Sequence, residues 1–123
     1  MLFRSDGLDE VTLADRTFVA EASNGTVRRF EIEPKDFGAE RVALEGLSGG
    51  DAEANAAIIR SVLSGARRDA ARLLVVVNAA AALHVGGAAN LREGARLAEQ
   101  SIDGGAAEGK LEELIRTSTA VIG

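Results

Sequence analysis

Near residue 48 the sequence passes from one secondary-structure pattern to another. Before this point, Val, Thr, Phe and Ile alternate with polar residues, as they do in β-strands. After it, Ala- and Leu-rich segments are separated by glycines, which is typical of consecutive helices that end at left-handed caps. We therefore predict an α/β chain in which residues 1–47 carry the strands and residues 48–123 form a helical half.

Two short runs of strand formers, at residues 17–21 and 27–32, predict a β-hairpin. The Asn24-Gly25 pair between them readily adopts the positive φ angles of a tight turn. Alternation in the second run is imperfect, so we expect a peripheral hairpin, with Phe30 and Ile32 on the same face. Pro34 ends this run, and residues 36–38 predict a further turn.

The helical half is predicted to contain four helices. The first begins near Asp51 and ends at residues 64–65, and the second covers about residues 68–85. The second is apolar on nearly every side and should be the central buried helix. We expect Asn90 to cap the third helix, with Glu93 bonding back towards the cap.

The third and fourth helices each carry an apolar stripe at helical spacing. The third ends at residues 104–105, and the fourth runs over about residues 106–117. Apolar spacing predicts that the side chains facing inward are Leu91, Ala95, Ala98 and Ile102 in the third helix and Leu111, Leu114 and Ile115 in the fourth.

Composition excludes several classes of protein. Aromatic residues make up only 3% of the 123 residues, so the core must be built from Ala, Val, Leu and Ile, which favours closely approaching helices. The chain has no cysteine, which excludes disulfides and thiolate metal sites. A net charge of −5 argues against nucleic-acid binding.

The first residues show no secretory pattern, and the longest apolar stretch, residues 73–83, is too short to span a bilayer. We therefore expect a soluble, cytoplasmic protein without a membrane partner.

One acidic motif and four further blocks, in the same order, resemble anthranilate phosphoribosyltransferases. The acidic motif is Asp6-Gly7-Leu8-Asp9-Glu10, which follows a short hydrophobic strand stub. The further blocks are PKDFG at residues 34–38, GGDAEAN at 49–55, NAAAAL at 78–83 and SIDGGAA at 101–107. A short acidic turn alone would be weak evidence. The five blocks are spread from residue 6 to residue 107, along nearly the whole chain, and together they make the resemblance specific.

The resemblance implies both a fold and a function. It places residues 1–123 as one partial domain, the later part of a nucleoside-phosphorylase-like α/β domain, with a strand stub, a hairpin and about four helices. It implies a tryptophan-biosynthesis enzyme that transfers phosphoribosyl from 5-phosphoribosyl diphosphate to anthranilate, with Mg²⁺ assisting departure of diphosphate. It further implies that Asp9 and Glu10 are the metal ligands and that the complete enzyme is a homodimer.

The sequence also departs from the family pattern. The Gly-rich diphosphate loop, two further substrate-binding segments and a small helical domain of the family have no counterpart in these 123 residues. Phe3-Arg4 stands where the family usually has His-Gly. We therefore expect the chain to be inactive alone. With helical faces meant for the missing sheet exposed, we also expect marginal stability or self-association. The alternative is a decayed, non-enzymatic binding or interaction module of the same family.

Three other groups of residues could carry chemistry. Residues 49–51 resemble a phosphate-cradling turn at a helix N-terminus, but Asp51 already supplies a negative charge, which favours a helix cap. His84, the only histidine, is expected to cap or pack rather than to catalyse. Arg67, Arg68 and Arg72 could contact phosphate, although a solvated helical face is the prediction we favour.

Overall fold

The computed structural model describes residues 2–4, 10–43 and 47–122. A small antiparallel sheet precedes a helical half, as the sequence pattern predicts. The elements in chain order are strands β1 (Leu2–Arg4), β2 (Thr17–Ser23) and β3 (Thr26–Ile32), a 3-10 helix (Pro34–Phe37), and helices α1 (Ala52–Leu63), α2 (Ala70–Val85), α3 (Leu91–Asp103) and α4 (Ala106–Ile122).

The sheet is a three-stranded antiparallel meander in the order β1-β2-β3. Ser23 and Thr26 pair at the end of the hairpin, and the two turn residues between them have positive φ angles, 51° at Asn24 and 78° at Gly25. This geometry is the two-residue turn that Asn-Gly favours. The predicted hairpin is confirmed, and Ile32 is buried while Phe30 is partly buried.

The 3-10 helix follows directly from β3 and carries the chain towards the helical half. Pro34 occupies its first position, where its fixed φ and missing N–H do no harm. Gly38 ends it with a φ of 81°, a conformation that a side chain would strain. Phe37 is buried against the helices, so the turn predicted at residues 36–38 also contributes to the core.

Side-chain caps define where three of the helices begin. The carboxylate of Asp51 accepts from Ala54 N at 2.8 Å, and the carboxylate of Asp69 accepts from Ala71 N at 3.0 Å. The Asn90 side chain accepts from Glu93 N at 2.8 Å, which confirms the predicted cap of α3. The predicted return bond from Glu93 is wrong, because its carboxylate pairs with Arg96 at 2.6 Å.

The core lies where α2 and α3 pack together beneath the sheet and the 3-10 helix. Val77 and Ala80 of α2 are fully buried, as is Leu13 in the loop before β2. The two helices approach closely at Gly94, where an added Cβ would lie 2.6 Å from the carbonyl oxygen of Ala80. The close helix packing predicted from the small-residue composition is confirmed.

Two predictions about buried faces are only partly confirmed. In α4, Leu111 is partly buried, but the other two side chains expected to face inward are exposed, with Leu114 at 64% and Ile115 at 37%, since α4 has few partners in the described residues. α2 is the central helix of the core, as predicted, but it is not buried on all sides. Val75, Ala82 and Leu83, which recur at helical spacing and form what we name the α2 stripe, are exposed.

None of the helices in the described part of the chain is long and apolar enough to cross a membrane.

Candidate functional site

The structure describes only the last residue of the acidic motif. Residues 6–9, including the predicted ligand Asp9, lie outside the described residues. Glu10, the last residue of the motif, is exposed at a bend, and the next three residues, Val11 to Leu13, are buried. The chain therefore passes from an exposed carboxylate into the core within one residue.

Asn78 of α2 fixes the backbone at this transition. Its Oδ1 accepts from Val11 N at 2.9 Å, and its Nδ2 donates to Val11 O at 3.0 Å. The second Nδ2 proton goes to Leu74 O in the preceding helical turn, at 2.9 Å. A single carboxamide thus satisfies both main-chain groups of the residue that follows Glu10.

The following residues are tied down by other groups. Thr12 N donates to Thr17 Oγ1 at 3.2 Å, and Ala14 N donates to Thr12 Oγ1 at 3.1 Å. Leu13 O accepts from Val42 N at 3.0 Å, which joins this loop to the segment after the 3-10 helix. Since Thr12, Leu13 and Thr17 are all buried, these hydrogen bonds hold the loop between Val11 and β2 in place.

The donor chemistry of the motif suits Mg²⁺. This ion takes hard oxygen ligands, keeps several waters and needs only one or two carboxylates from the protein. Among the described residues there is no cluster of three or more His, Cys, Asp or Glu that could enclose a metal alone. An exposed carboxylate such as that of Glu10 fits an ion shared with water and a phosphate-bearing ligand, and it does not fit a closed structural metal site.

The glycine turn before α1 is a helix cap. Asp51 accepts from the backbone of the first helical turn, as described above. Gly50 N, which a phosphate-cradling turn would leave for the ligand, donates to Asn55 Oδ1 at 2.9 Å. Asn55 Nδ2 donates back to Gly50 O at 3.1 Å. The favoured capping interpretation of residues 49–51 is confirmed.

The three arginines near the start of α2 are bound to carboxylates. Arg67 Nε lies 3.0 Å from both carboxylate oxygens of Asp69, and Arg68 Nη2 lies 3.1 Å from Asp103 Oδ1. Arg72 also binds Asp103 and is buried, so the predicted solvated face is wrong for this residue. The pairing leaves little to support a phosphate site at these guanidinium groups.

His84, near the C-terminal end of α2, contacts the turn after the helix and strand β2. Its Nδ1 lies 3.1 Å from Ala88 O, and its Nε2 lies 3.6 Å from Glu21 Oε2 on β2. Because a carbonyl oxygen only accepts, the first bond requires a proton on Nδ1. The ring is held by the turn after the helix and by the hairpin, which confirms the predicted capping and packing role.

A cleft of about 450 Å³ opens between the 3-10 helix and α3, lined in part by Phe37, Val77 and two arginines of α3. Both arginines have partners within the chain. Arg92 Nη2 donates to Lys35 O at 3.3 Å, and Arg96 pairs with Glu93 as described above. The cleft therefore offers few uncommitted polar groups to a ligand.

The sequence analysis missed the role of Asn78, which entered it only as the first residue of the block NAAAAL. A signal was present, since Asn78 is a lone carboxamide in an otherwise apolar segment, residues 73–83. A partly buried carboxamide in such a segment requires partners for its polar atoms. The identity of the partner, Val11, could not be read from the sequence, because it lies 67 residues away.

The chain is similar to known proteins along almost its whole length. It is 50% identical over 119 residues to the anthranilate phosphoribosyltransferase of Rubrobacter xylanophilus, a match that covers 96% of this chain and 35% of that relative. The chain thus spans about a third of the length of the curated relatives it matches.

Solved structures share the fold. Anthranilate phosphoribosyltransferase from Saccharomyces cerevisiae in complex with 4-fluoroanthranilate superposes with a TM-score of 0.83 at 30% identity, over 93% of this chain and 34% of that one. The same enzyme in complex with PRPP and Mg gives a TM-score of 0.82 at 30% identity, over 93% of this chain and 33% of that one. The predicted partial α/β domain is confirmed.

Most of the chain also matches a family model. Residues 1–108 match the model of the glycosyl transferase family, a/b domain. This match takes in the acidic motif, the hairpin and the core helices α2 and α3. The chain therefore belongs to this glycosyl transferase family.

Proposed function

We propose that this chain is the C-terminal part of the α/β domain of an anthranilate phosphoribosyltransferase, residues 1–123 forming one partial domain. The observation that carries the proposal is the 50% identity to the Rubrobacter xylanophilus enzyme over nearly the whole chain. The complete enzyme transfers the phosphoribosyl group of 5-phosphoribosyl diphosphate to the amine of anthranilate, a step in tryptophan biosynthesis. The yeast relative, solved in complex with PRPP and Mg, supports this substrate and this ion.

In this proposal, Asp9 and Glu10 hold Mg²⁺ through their carboxylates. The bound ion would neutralise negative charge on the leaving diphosphate. The chain itself supplies an exposed carboxylate at Glu10, and the hydrogen bonds between Asn78 and the next residue, Val11, limit the movement of the Glu10 backbone. A fixed anchor matters because a ligand that must be ordered before it can bind the ion costs affinity.

The chain does not carry the whole reaction. The Gly-rich diphosphate loop and the other substrate-binding segments of the family have no counterpart in its sequence, so we propose that it is inactive alone and works with the remainder of the enzyme. The complete enzyme is proposed to be a cytoplasmic homodimer. The α2 stripe of Val75, Ala82 and Leu83 is exposed here, and we expect the remainder of the enzyme to cover it.

A growth experiment tests the proposal. A bacterial host would express, from its own anthranilate phosphoribosyltransferase gene, only the portion that precedes the region matched by this chain. Supplying this chain as a separate polypeptide is expected to restore growth without tryptophan, and supplying it with Glu10→Gln is not. If the chain accumulates in folded form but growth fails, the alternative of a non-enzymatic module is favoured.

A further inference from the structure

Asn78 lies outside the acidic motif, yet it binds the residue that follows it. The Val11 N–H belongs to the planar peptide unit that joins Glu10 to Val11, and the Val11 carbonyl belongs to the next unit. The two hydrogen bonds from Asn78, at 2.9 and 3.0 Å, therefore hold two consecutive peptide planes. The first unit includes the Glu10 Cα, so its orientation affects the direction in which the Glu10 side chain extends.

The carboxamide that holds these planes is itself held. Its remaining Nδ2 proton is donated to Leu74 O, so both protons and one acceptor site are used. Only one orientation of the amide suits these partners, because Val11 N–H must meet an oxygen and the two carbonyls must meet Nδ2. The neighbouring residue Val77 is fully buried, which restricts movement of this part of α2.

Helix stability does not account for an asparagine at this position. Asn is a weak helix former in helix interiors, and an apolar residue of similar size would suit the segment better. The loop itself has independent anchors, because Thr12 binds Thr17 and Leu13 binds Val42. Within this loop, the hydrogen bonds of Asn78 therefore hold Val11 alone, the residue next to the motif.

We infer that Asn78 is a positioning residue for Glu10, because its paired hydrogen bonds to Val11 fix the peptide plane from which the Glu10 carboxylate is presented. The inference rests on the proposed function for the role of Glu10. Groups that orient metal ligands have a measurable effect, since their loss commonly weakens metal affinity by about 10- to 100-fold.

Two variants and one matched control separate positioning from general stability. Asn78→Leu removes both bonds to Val11, whereas Asn78→Asp keeps the acceptor for Val11 N and loses the two donated bonds. Thr17→Val is the control, because it removes a buried bond to the same loop at Thr12, a residue not adjacent to Glu10. Circular dichroism and melting curves establish that each variant is folded.

The first readout needs no metal. Backbone NMR of the chain is expected to show changed Glu10 and Val11 shifts and faster Val11 amide exchange in Asn78→Leu, with a smaller change in Asn78→Asp. Thr17→Val is expected to leave the Glu10 signals in place. Unchanged Glu10 signals in a folded Asn78→Leu variant would overturn the inference, whatever the chain binds.

The second readout is Mn²⁺ binding, followed by electron paramagnetic resonance of the free ion. The sample contains the chain, inorganic diphosphate and the separately expressed N-terminal portion of a relative. Asn78→Leu is expected to weaken Mn²⁺ binding about tenfold or more, and Thr17→Val to change it by less than about twofold. Equal losses in the two variants would overturn the inference.

Substitutions of the proposed metal ligands distinguish the positioning role of Asn78 from the metal assignment itself. If Asp9→Asn and Glu10→Gln weaken Mn²⁺ binding but Asn78→Leu does not, the metal assignment stands and the positioning role of Asn78 fails. If neither ligand variant has an effect, the metal assignment in the proposed function fails and the positioning role fails with it.

Discussion

Arg72 and Asp103 form a bidentate ion pair that joins the start of α2 to the end of α3. Nη1 lies 3.0 Å from Oδ1, and Nη2 lies 3.1 Å from Oδ2. Arg68 adds a third contact to the same carboxylate, at 3.1 Å. The arginine side chain is 9% exposed while that of the aspartate is 44% exposed, so the two partners depend on the pair to different extents.

This difference predicts an asymmetry between two substitutions. Asp103→Ala leaves the buried Arg72 guanidinium without its main partner, and we expect the melting temperature to fall by about 5 °C or more. Arg72→Met replaces the buried charge with an apolar chain and leaves an exposed carboxylate beside Arg68, so the fall should be smaller. Thermal unfolding of both variants checks the order, and a larger loss in Arg72→Met would contradict it.

The same pair predicts a dependence of stability on pH. Hydrogen bonding to Arg72 holds the pKa of Asp103 below its ordinary value. A carboxyl with a lowered folded pKa contributes stability above its unfolded pKa, near 3.9, and loses that contribution as the pH falls through the folded pKa. We therefore expect the difference in unfolding free energy between the wild type and Asp103→Asn to be constant above about pH 5 and to shrink below about pH 4. Urea unfolding between pH 3 and pH 7 measures it, and a difference that grows on acidification would refute the assignment.

The close approach of α2 and α3 predicts a cost for one added methyl group. In Gly94→Ala the new Cβ would lie 2.6 Å from Ala80 O, so the helices must separate. Overpacking costs typically about 1–3 kcal/mol, which outweighs or cancels the gain of roughly 1 kcal/mol in helix propensity. Gly109→Ala in α4 is the control, because nothing lies within 4 Å of its added Cβ. Denaturant unfolding should show Gly94→Ala to be less stable than Gly109→Ala, and the reverse order would contradict the packing.

The α2 stripe predicts self-association of the isolated chain. Val75 and Leu83 are 39% and 37% exposed on one helical face, and burying them between copies would remove apolar surface from water. Val75→Gln combined with Leu83→Gln should raise the dissociation constant by about tenfold or more. Val27→Thr, on the exposed hairpin, serves as the control. Sedimentation velocity across a range of concentrations checks this, and a chain that stays monomeric throughout would show that the stripe needs no cover.

Local features of the fold could be predicted from the sequence because their causes lie within a few residues. Asn24-Gly25 specifies the hairpin turn, and the side chains of Asp51 and Asn90 cap helices through N–H groups three residues away. Features that depend on distant partners could not be predicted. The burial of Arg72 depends on Asp103, which lies 31 residues further along the chain.

In the candidate site, too, only the local features could be predicted from the sequence. The acidic motif was recognised because its residues are consecutive, and the blocks around it occur in the order of a known family. The support behind it was missed, because the bond from Asn78 to Val11 spans 67 residues. The exposure of Leu114 was also missed, since helical spacing identifies an apolar face but does not say whether a partner covers it.

The central claim is that this chain contributes the metal ligands of a phosphoribosyl transfer. Its most direct test is anthranilate fluorescence in a mixture of the chain, Mg²⁺, 5-phosphoribosyl diphosphate and the N-terminal portion of a relative. We predict loss of fluorescence only in the complete mixture, abolished by Glu10→Ala but not by Glu40→Ala, a matched change at another exposed glutamate. Persistent fluorescence in every mixture, or equal activity of Glu10→Ala and the wild type, would contradict the claim.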